Sequence, residues 1–345
     1  MDKFEEVLLK HQNNRFLIID PIGGKGDELI LKGMEKKLKG LGISYTTLQY
    51  KKLKELGINF IPFQYTQEQT RLSKIGNSST LSDVSSLFQK KAKNIVYSLT
   101  KMIMLKKMSK IADYDTVLIR GGGYLNDVWG DYDALEIAIR NNPDSIIVAP
   151  HSFSFLNANT FLDCINSADS EIYIFCREKY SYDLLSSLSF QKNVHIYLSH
   201  DTALYLSKDD FLSKDNYGCK EGFYDLICTR KDRELVVDWN IDVLRQRSGT
   251  ANKNGDQKTR KILVGDLEEV ANFRVFVNLI AGAHKVFTDR LHVGILSTIL
   301  GNETYLYPIS YDKNKGVYEF SLNRFPNIQF INSPKFEPWR FYDEK

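Results

Sequence analysis

The chain has 345 residues, too long for one ordinary core and too short for three, so two domains of roughly 150 residues each are expected. Lys and Arg number 46 against 43 Asp and Glu, leaving 46 − 43 = +3, which is no reservoir for gripping a nucleic-acid backbone along its length. Hydrophobic residues at 43%, charged residues at 26% and 8 prolines describe a globular chain, neither disordered nor collagenous.

The first residues, Met1-Asp2-Lys3-Phe4-Glu5-Glu6-Val7, are acidic where a signal peptide wants a basic region and an apolar run. No stretch approaches the roughly 20 apolar residues of a membrane span. Cys164, Cys176, Cys219 and Cys228 are too few and too loosely spaced for a secreted disulfide framework, and they form no Cys-x-x-Cys pair. With no His-Glu-x-x-His either, no metal site is expected. A cytoplasmic protein is expected.

In chain order, a short apolar run, a glycine-rich or polar turn and an amphipathic stretch recur, which is the grammar of α/β proteins. Phe16 to Ile19 reads as a strand, Gly23 to Gly26 as its exit loop, and Asp27 as the cap of a helix reaching Gly40. Residues 63–110 interrupt the pattern with a polar patch and then a basic helical run around Lys101, Lys106, Lys107 and Lys110. That run reads as a solvated helix with one buried face, and a membrane-surface helix is the alternative. Strands follow at 116–119, 145–148, 172–175 and 194–197, apolar on both faces as in a covered parallel sheet. An N-terminal α/β domain over 1–206 and a linker at 207–222 lead to a C-terminal α/β domain over 223–345. The second domain holds a strand from Phe223, a mobile polar loop at 245–258, a helical stripe through Val270, Ala271, Phe273, Val277 and Ile280, and a strand at 285–288. A helix from Leu291 to Leu300 ended by Gly301 and a strand at 305–307 complete it. Two such halves imply a cleft between them.

Thr288-Asp289-Arg290-Leu291-His292 stands at a strand-to-helix junction. Thr288 or Asp289 can cap the helix, leaving first-turn amides and the positive helix end for an anion. Arg290 adds a fork for a carboxylate or phosphate, and His292 a group that exchanges protons near neutral pH. The same five residues would serve equally as a structural helix start, with Arg290 paired to a carboxylate. Arg177 directly follows the strand at 172–175, where open α/β sheets bind ligands, or else it is a surface arginine paired with Glu178 or Asp183.

Arg120-Gly121-Gly122-Gly123 permits close backbone approach after the strand at 116–119, and Gly121, Gly122 and Gly123 are candidates to line the cleft. The loop is no dinucleotide fingerprint, since position 126 is Asn126, and Gly23-Gly24-Lys25-Gly26 is no Walker loop. The Asp-x-Asp pairs at 113–115 and 131–133 are read as chance. His151, between Pro150 and Ser152 at the end of the strand that begins at Ser145, points at the expected crevice or is equally well a capped or hydrogen-bonded structural histidine, whereas His195 and His284 read as structural. Ser152 and Ser154 lack a nucleophile elbow.

The segment from Val286 to His292, the helix to Gly301 and Tyr311-Asp312-Lys313-Asn314-Lys315-Gly316-Val317-Tyr318-Glu319 resemble the C-terminal signature of the polysaccharide pyruvyl transferases. The triple glycine with Tyr124-Leu125-Asn126-Asp127, the Pro150-His151-Ser152 turn and Arg177-Glu178 recur in that family in the same order, so the resemblance runs from about Gly23 to Phe320. It implies two Rossmann-like domains in a GT-B-like arrangement. It also implies transfer of a pyruvyl group from phosphoenolpyruvate to two hydroxyls of a sugar, with phosphate released and no cofactor. The family's functional residues carry over to Arg177, Arg290, Leu291 and, with Lys313, to the donor site, and to His292 as the catalytic group. Gly121, Gly122, Gly123, Asp127, His151 and Ser152 fall on the acceptor side. The family usually has glutamine where this chain has His151. A free or lipid-linked oligosaccharide acceptor, and with it peripheral association at the inner face of a membrane, fits this resemblance. A GT-B glycosyltransferase using a nucleotide sugar and a non-catalytic sugar-binding protein are the rival readings.

Overall fold

The computed structural model describes residues 2–21, 23–50, 113–130, 132–211, 224–239 and 261–333. The basic run at Lys101 to Lys110, the loop at 245–258, most of the 207–222 link, Cys219 and Asp131 lie outside these residues.

Helix α1 (Lys3–Lys10) precedes β1 (Phe16–Pro21), α2 (Lys25–Gly40) and β2 (Tyr45–Tyr50). Then come β3 (Thr116–Ile119), α3 (Asp133–Arg140), β4 (Ser145–His151), α4 (Asn159–Asn166), β5 (Glu171–Cys176), α5 (Lys179–Ser186) and β6 (Val194–Leu198). The six strands form one parallel sheet in the order β2-β1-β3-β4-β5-β6, with Phe16 beside Thr116 and Thr116 beside Ser145. Because side chains alternate across a strand, Leu17, Ile19, Val117, Ile119, Ile146 and Val148 pack beneath α3 and α4. Phe16, Ile18, Leu118, Ile147 and Phe175 pack on the other face against Phe4 of α1 and Met34 of α2. Burial on both faces is why these strands read as unbroken apolar runs.

The second parallel sheet contains β7 (Tyr224–Cys228), β8 (Lys261–Gly265), β9 (Ala283–Thr288), β10 (Glu303–Leu306) and β11 (Ile328–Phe330), ordered β11-β10-β9-β7-β8. Helices α6 (Phe273–Ala281), α7 (Leu291–Leu300) and α8 (Lys313–Val317) accompany it. Leu226, Val286 and Leu306 pack against Phe276 of α6 and Ile295 of α7. On the opposite face Phe287 and Tyr305 stack with ring centroids 4.8 Å apart. The chain is thus α/β, with two Rossmann-like sheets around a cleft.

Several local expectations shift. Gly24, not Asp27, is the N-cap of α2; Asp27 lies in the first turn and its carboxylate reaches back to accept the Gly24 N–H at 3.0 Å. Val270 and Ala271 precede α6, whose N-cap Asn272 accepts from the Val275 N–H. Helix α7 spans the expected residues and stops at Gly301, where a φ of +90° suits glycine.

Helix α2 joins the two halves. Its Leu29 belongs to the core of the second sheet, and Thr202 donates from Oγ1 to the Ile30 carbonyl at 2.9 Å. A Cβ added to Gly33 would stand 1.9 Å from the Thr202 carbonyl oxygen, a backbone atom with no freedom to swing aside. Gly33→Ala is therefore expected to destabilise the protein by about 1–3 kcal/mol in urea unfolding. Gly40→Ala, whose added Cβ meets nothing within 4 Å, is expected to be neutral or to stabilise by up to about 1 kcal/mol. Equal midpoints for the two variants would contradict the packing argument.

Candidate active site

In open parallel sheets, ligands meet the carboxyl ends of the strands where the strand order reverses. In the first sheet that point lies between β1 and β3, and in the second between β7 and β9. Both open on one cleft of about 470 Å³, within the range of small-molecule sites. Gly24 and Asp27 line it from the first sheet, and Arg230, Arg290 and His292 from the second.

Arg177, one residue past β5, is 1% exposed. It donates from Nε to Ser152 Oγ at 2.8 Å and from Nη1 to Asp201 Oδ2 at 2.7 Å. It is no surface arginine: Asp183 pairs with Lys179, and Glu178 caps α5 by accepting the Ser181 N–H. Arg290 is clasped by Asp266 through Nε and Nη2, and its Nη1 lies 2.9 Å from Asp232. Burial works against its charge, but Asp266, Asp232 and Glu268 outweigh that and hold its pKa above the ordinary value. His292 Nε2 lies 3.2 Å from Asp201 Oδ2 and 3.4 Å from Arg177 Nη1. Leu291 is buried beside it and also lines the cleft.

Lys313 donates to Glu234 at 2.7 Å. Burial lowers its pKa to about 8 despite Glu234, with Arg230 and Arg177 adding to the fall. Glu234 also accepts from Trp129 Nε1 at 2.7 Å and from the Tyr311 hydroxyl at 3.1 Å, and pairs with Arg230 at 2.7 Å. Its burial is overcome by Lys313 and Arg230, which bring its pKa down to about 2.

Thr288 and Asp289 do not cap α7. Its N-cap is Arg290, with no side-chain cap. The Asp289 carboxylate instead accepts the Arg230 N–H at 2.9 Å and Trp239 Nε1 at 3.0 Å, and its pKa rises to about 6, mainly through burial. Thr288 Oγ1 donates to the Cys228 carbonyl and accepts the Arg290 N–H.

Of the residues expected on the acceptor side, only Gly123 lines the cleft. A Cβ there would stand 3.2 Å from Arg177 Nη2, so glycine leaves room for the guanidinium. Gly121 and Gly122 lie behind the wall. A Cβ on Gly121 would meet the Pro150 carbonyl oxygen at 2.5 Å, and Gly122, with φ +153°, bridges to His151. His151 is fully buried, and its Nε2 accepts the Tyr124 and Leu125 N–H groups, each at 3.1 Å. Burial, then Arg177 and Arg120, push its pKa well below the ordinary value, so it is a neutral prop of the glycine loop. Ser152 is likewise behind the wall, under Arg177. Asp127 accepts the Leu156 and Asn157 N–H groups and shapes an outer loop.

Asp201, Arg230, Asp232, Glu234, Glu268 and Trp129 are cleft residues or their supports that sequence reasoning missed. One signal was available for Arg230: Arg120, Arg177, Arg230 and Arg290 each stand one or two residues past a strand, namely β3, β5, β7 and β9. Among the described residues, no group of three or more His, Cys, Asp or Glu is placed to hold a metal ion. No helix among them is long and apolar enough to cross a membrane.

The folded pKa of Glu234 lies below the ordinary 4.5, so its charge contributes stability above pH 4.5 that is lost as the pH falls toward 2. The shift to about 2 corresponds to roughly 3 kcal/mol. Glu234→Gln is expected to be less stable than the wild type by about that much at pH 7, with the gap narrowing on acidification. Urea unfolding across this range checks it; a pH-independent gap would exclude the charge as the cause.

The family model for polysaccharide pyruvyl transferase matches residues 25–311. No curated protein matches the chain significantly. Among solved structures, an uncharacterised protein from Klebsiella pneumoniae subsp. pneumoniae is 22% identical over 96% of this chain and 98% of its own, with a TM-score of 0.56, and so shares the fold. The E. coli heptosyltransferase WaaC with ADP-2-deoxy-2-fluoro heptose is 13% identical over 93% of each chain, with a TM-score of 0.43. UDP-GlcNAc 2-epimerase from Neisseria meningitidis bound to UDP-GlcNAc is 13% identical over 88% of this chain and 85% of its own, with a TM-score of 0.42. With the family model spanning most of its length, the chain belongs to the polysaccharide pyruvyl transferases, a family of glycan-modifying transferases.

Proposed function

We propose that the protein transfers the pyruvyl group of phosphoenolpyruvate to two hydroxyls of a sugar in a polysaccharide, capsule or cell-wall glycan. The observation that carries this reading is the convergence of Arg177, Arg290 and His292 at the start of α7 in one cleft. A donor with a carboxylate and a phosphate asks for two guanidinium forks and a helix end, and a protonatable imidazole suits its enol carbon. Lys313, with its pKa lowered to about 8, is a further donor-side cation.

In this reading His292 gives a proton to the methylene carbon of the enol, which becomes a methyl group. Electron deficiency at the neighbouring carbon draws in one sugar hydroxyl, and the carbon–oxygen bond to phosphate breaks. The second hydroxyl then closes the ketal on the same carbon. Of the two hydroxyl protons released, one restores His292 and the other leaves with phosphate, so the reaction balances without a cofactor.

The test incubates the protein with phosphoenolpyruvate and a panel of sugars, following phosphate release and the gain in product mass. His292→Ala is expected to stay folded and to lose roughly 10²–10⁴-fold in turnover. Near-normal phosphate release by the folded variant would remove His292 from this role. Release of a nucleoside diphosphate from a nucleotide sugar, with none of phosphate from phosphoenolpyruvate, would replace the reading with a glycosyltransferase.

A further inference from the structure

Asp201 lies just past β6 and is fully buried. A buried carboxylate costs several kcal/mol unless it is paired and hydrogen-bonded. Asp201 meets that condition three times. Its Oδ1 accepts the Ala203 N–H at 2.9 Å, which closes the turn Thr202–Tyr205. Its Oδ2 faces Arg177 Nη1 at 2.7 Å and His292 Nε2 at 3.2 Å. The turn is itself pinned to α2 through the bond from Thr202 to Ile30 and the contact with Gly33. The carboxylate therefore has little freedom to rotate.

We propose that Asp201 is the positioning residue of this site: with one oxygen it holds Arg177 and His292, and it fixes the imidazole with its proton on Nε2 and its Nδ1 available to the cleft. The inference deepens the transferase reading and rests on it for the role of His292. Burial would raise the carboxyl pKa, but His292, Arg177 and the Ala203 N–H reverse that and hold it well below the usual range. An anionic Oδ2 can only accept, so the imidazole nitrogen facing it must carry a hydrogen. The 3.4 Å separation of Arg177 Nη1 and His292 Nε2 is then the spacing of two donors that converge on one acceptor. The other nitrogen, Nδ1, stands over Gly26, where an added Cβ would come within 2.9 Å of it. Among the described residues it has no hydrogen-bond partner. Gly26 and His292 both line the cleft.

Around the imidazole the charged groups are Arg177 and Asp201 from the first sheet, Asp27 from α2, Glu268 and Arg290 from the second sheet, and Lys313 from α8. Among the described residues, Asp201 is the one whose carboxylate is in hydrogen-bond range of the ring. In the proposed transfer, Nδ1 releases its proton to the enol carbon and later takes one from a sugar hydroxyl. Nε2 keeps its proton throughout, and Asp201 gains none; it stabilises the imidazolium and holds the ring plane.

The experiment is nitrogen NMR of the full-length protein with ¹⁵N-labelled histidine, at a pH where the imidazoles are neutral. The His292 signals are assigned by their absence from His292→Gln. Nε2-protonated His292 is expected in the wild type. In Asp201→Asn, with the amide oxygen still on the Ala203 N–H, the amide nitrogen donates toward Nε2 and drives the proton to Nδ1. That variant is expected to lose roughly 10²-fold or more in kcat for phosphate release from phosphoenolpyruvate, with a smaller change in KM. An Nδ1-protonated wild-type ring, or kcat in Asp201→Asn within about threefold of wild type, would overturn the proposal. If Asp201→Asn does not fold, the wild-type tautomer alone decides. A wild type with the expected tautomer and no turnover of phosphoenolpyruvate would sink the transferase reading and leave the positioning by Asp201 standing.

Discussion

Arg177, Asp201 and His292 meet where an unmatched charge would cost several kcal/mol, and that cost ties the two sheets to a single arrangement. The arginine, the Ala203 N–H and the aspartate come from the first half and the histidine from the second, so the carboxylate's third partner is the one that crosses between the halves. The same logic recurs along the cleft. Glu234 of the second sheet accepts from Trp129 of the first. Glu268 reaches from the second sheet to the Lys25 and Gly26 N–H groups at the start of α2. Such bonds add little net stability over a dry apolar contact, but each imposes a distance and an angle. The apolar part of the junction, through Leu29 and the Gly33 contact, supplies the burial that holds them in register.

The chain's net charge of +3 has a local counterpart. Arg177, Arg230, Arg290 and Lys313 share the cleft with Asp27, Asp232, Glu234 and Glu268. Recognition of an anion there cannot come from a bulk positive field, because the field is largely cancelled within the wall. It must come from particular N–H groups. The start of α2 is already occupied by the Glu268 carboxylate, and a Cβ on Gly24 would come within 1.7 Å of that oxygen. The start of α7 has no side-chain cap, which leaves its first-turn amides as the helix end available to an anion.

The sequence exposed the central strands clearly and the edges poorly. Strands β1, β3, β4 and β5 are covered on both faces, so their apolar runs announce them. Strands β2, β8 and β11, which the sequence reading did not single out, are three of the four sheet edges among the described residues; the fourth, β6, was read from its apolar run. Tyr45-Thr46-Thr47-Leu48-Gln49 is largely polar because an edge strand shares its surface with solvent. Arg177, Arg290 and His292 were legible because each lies just past a strand or in the first turn after it. His151 stayed open between a crevice group and a structural histidine, because position at a strand end says where the backbone emerges, not which way the side chain turns; this ring folds inward to carry two backbone N–H groups. Asp201 had no motif around it. Its importance comes from partners 24 and 91 residues away, a separation that no local pattern encodes.

The repeated arginine past the strand ends shows how geometry separates supports from binding groups. A guanidinium has five N–H donors. Arg120 spends its donors inward, on Asp20, Asp27, the Gly121 carbonyl and the Pro21 carbonyl, so it locks the β1 and β3 exits together. Arg177 is just as buried, yet among the described residues it places only Nε and Nη1, on Ser152 and Asp201. Its Nη2 lies against Gly123, at the cleft wall, where the missing side chain keeps the approach open. Two arginines with the same position relative to a strand, and the same burial, thus differ in how many donors the protein itself consumes. The glycine beside Arg177 and the carboxylates beside Arg120 set that difference, and it places the ligand-facing donor at the end of β5 rather than β3.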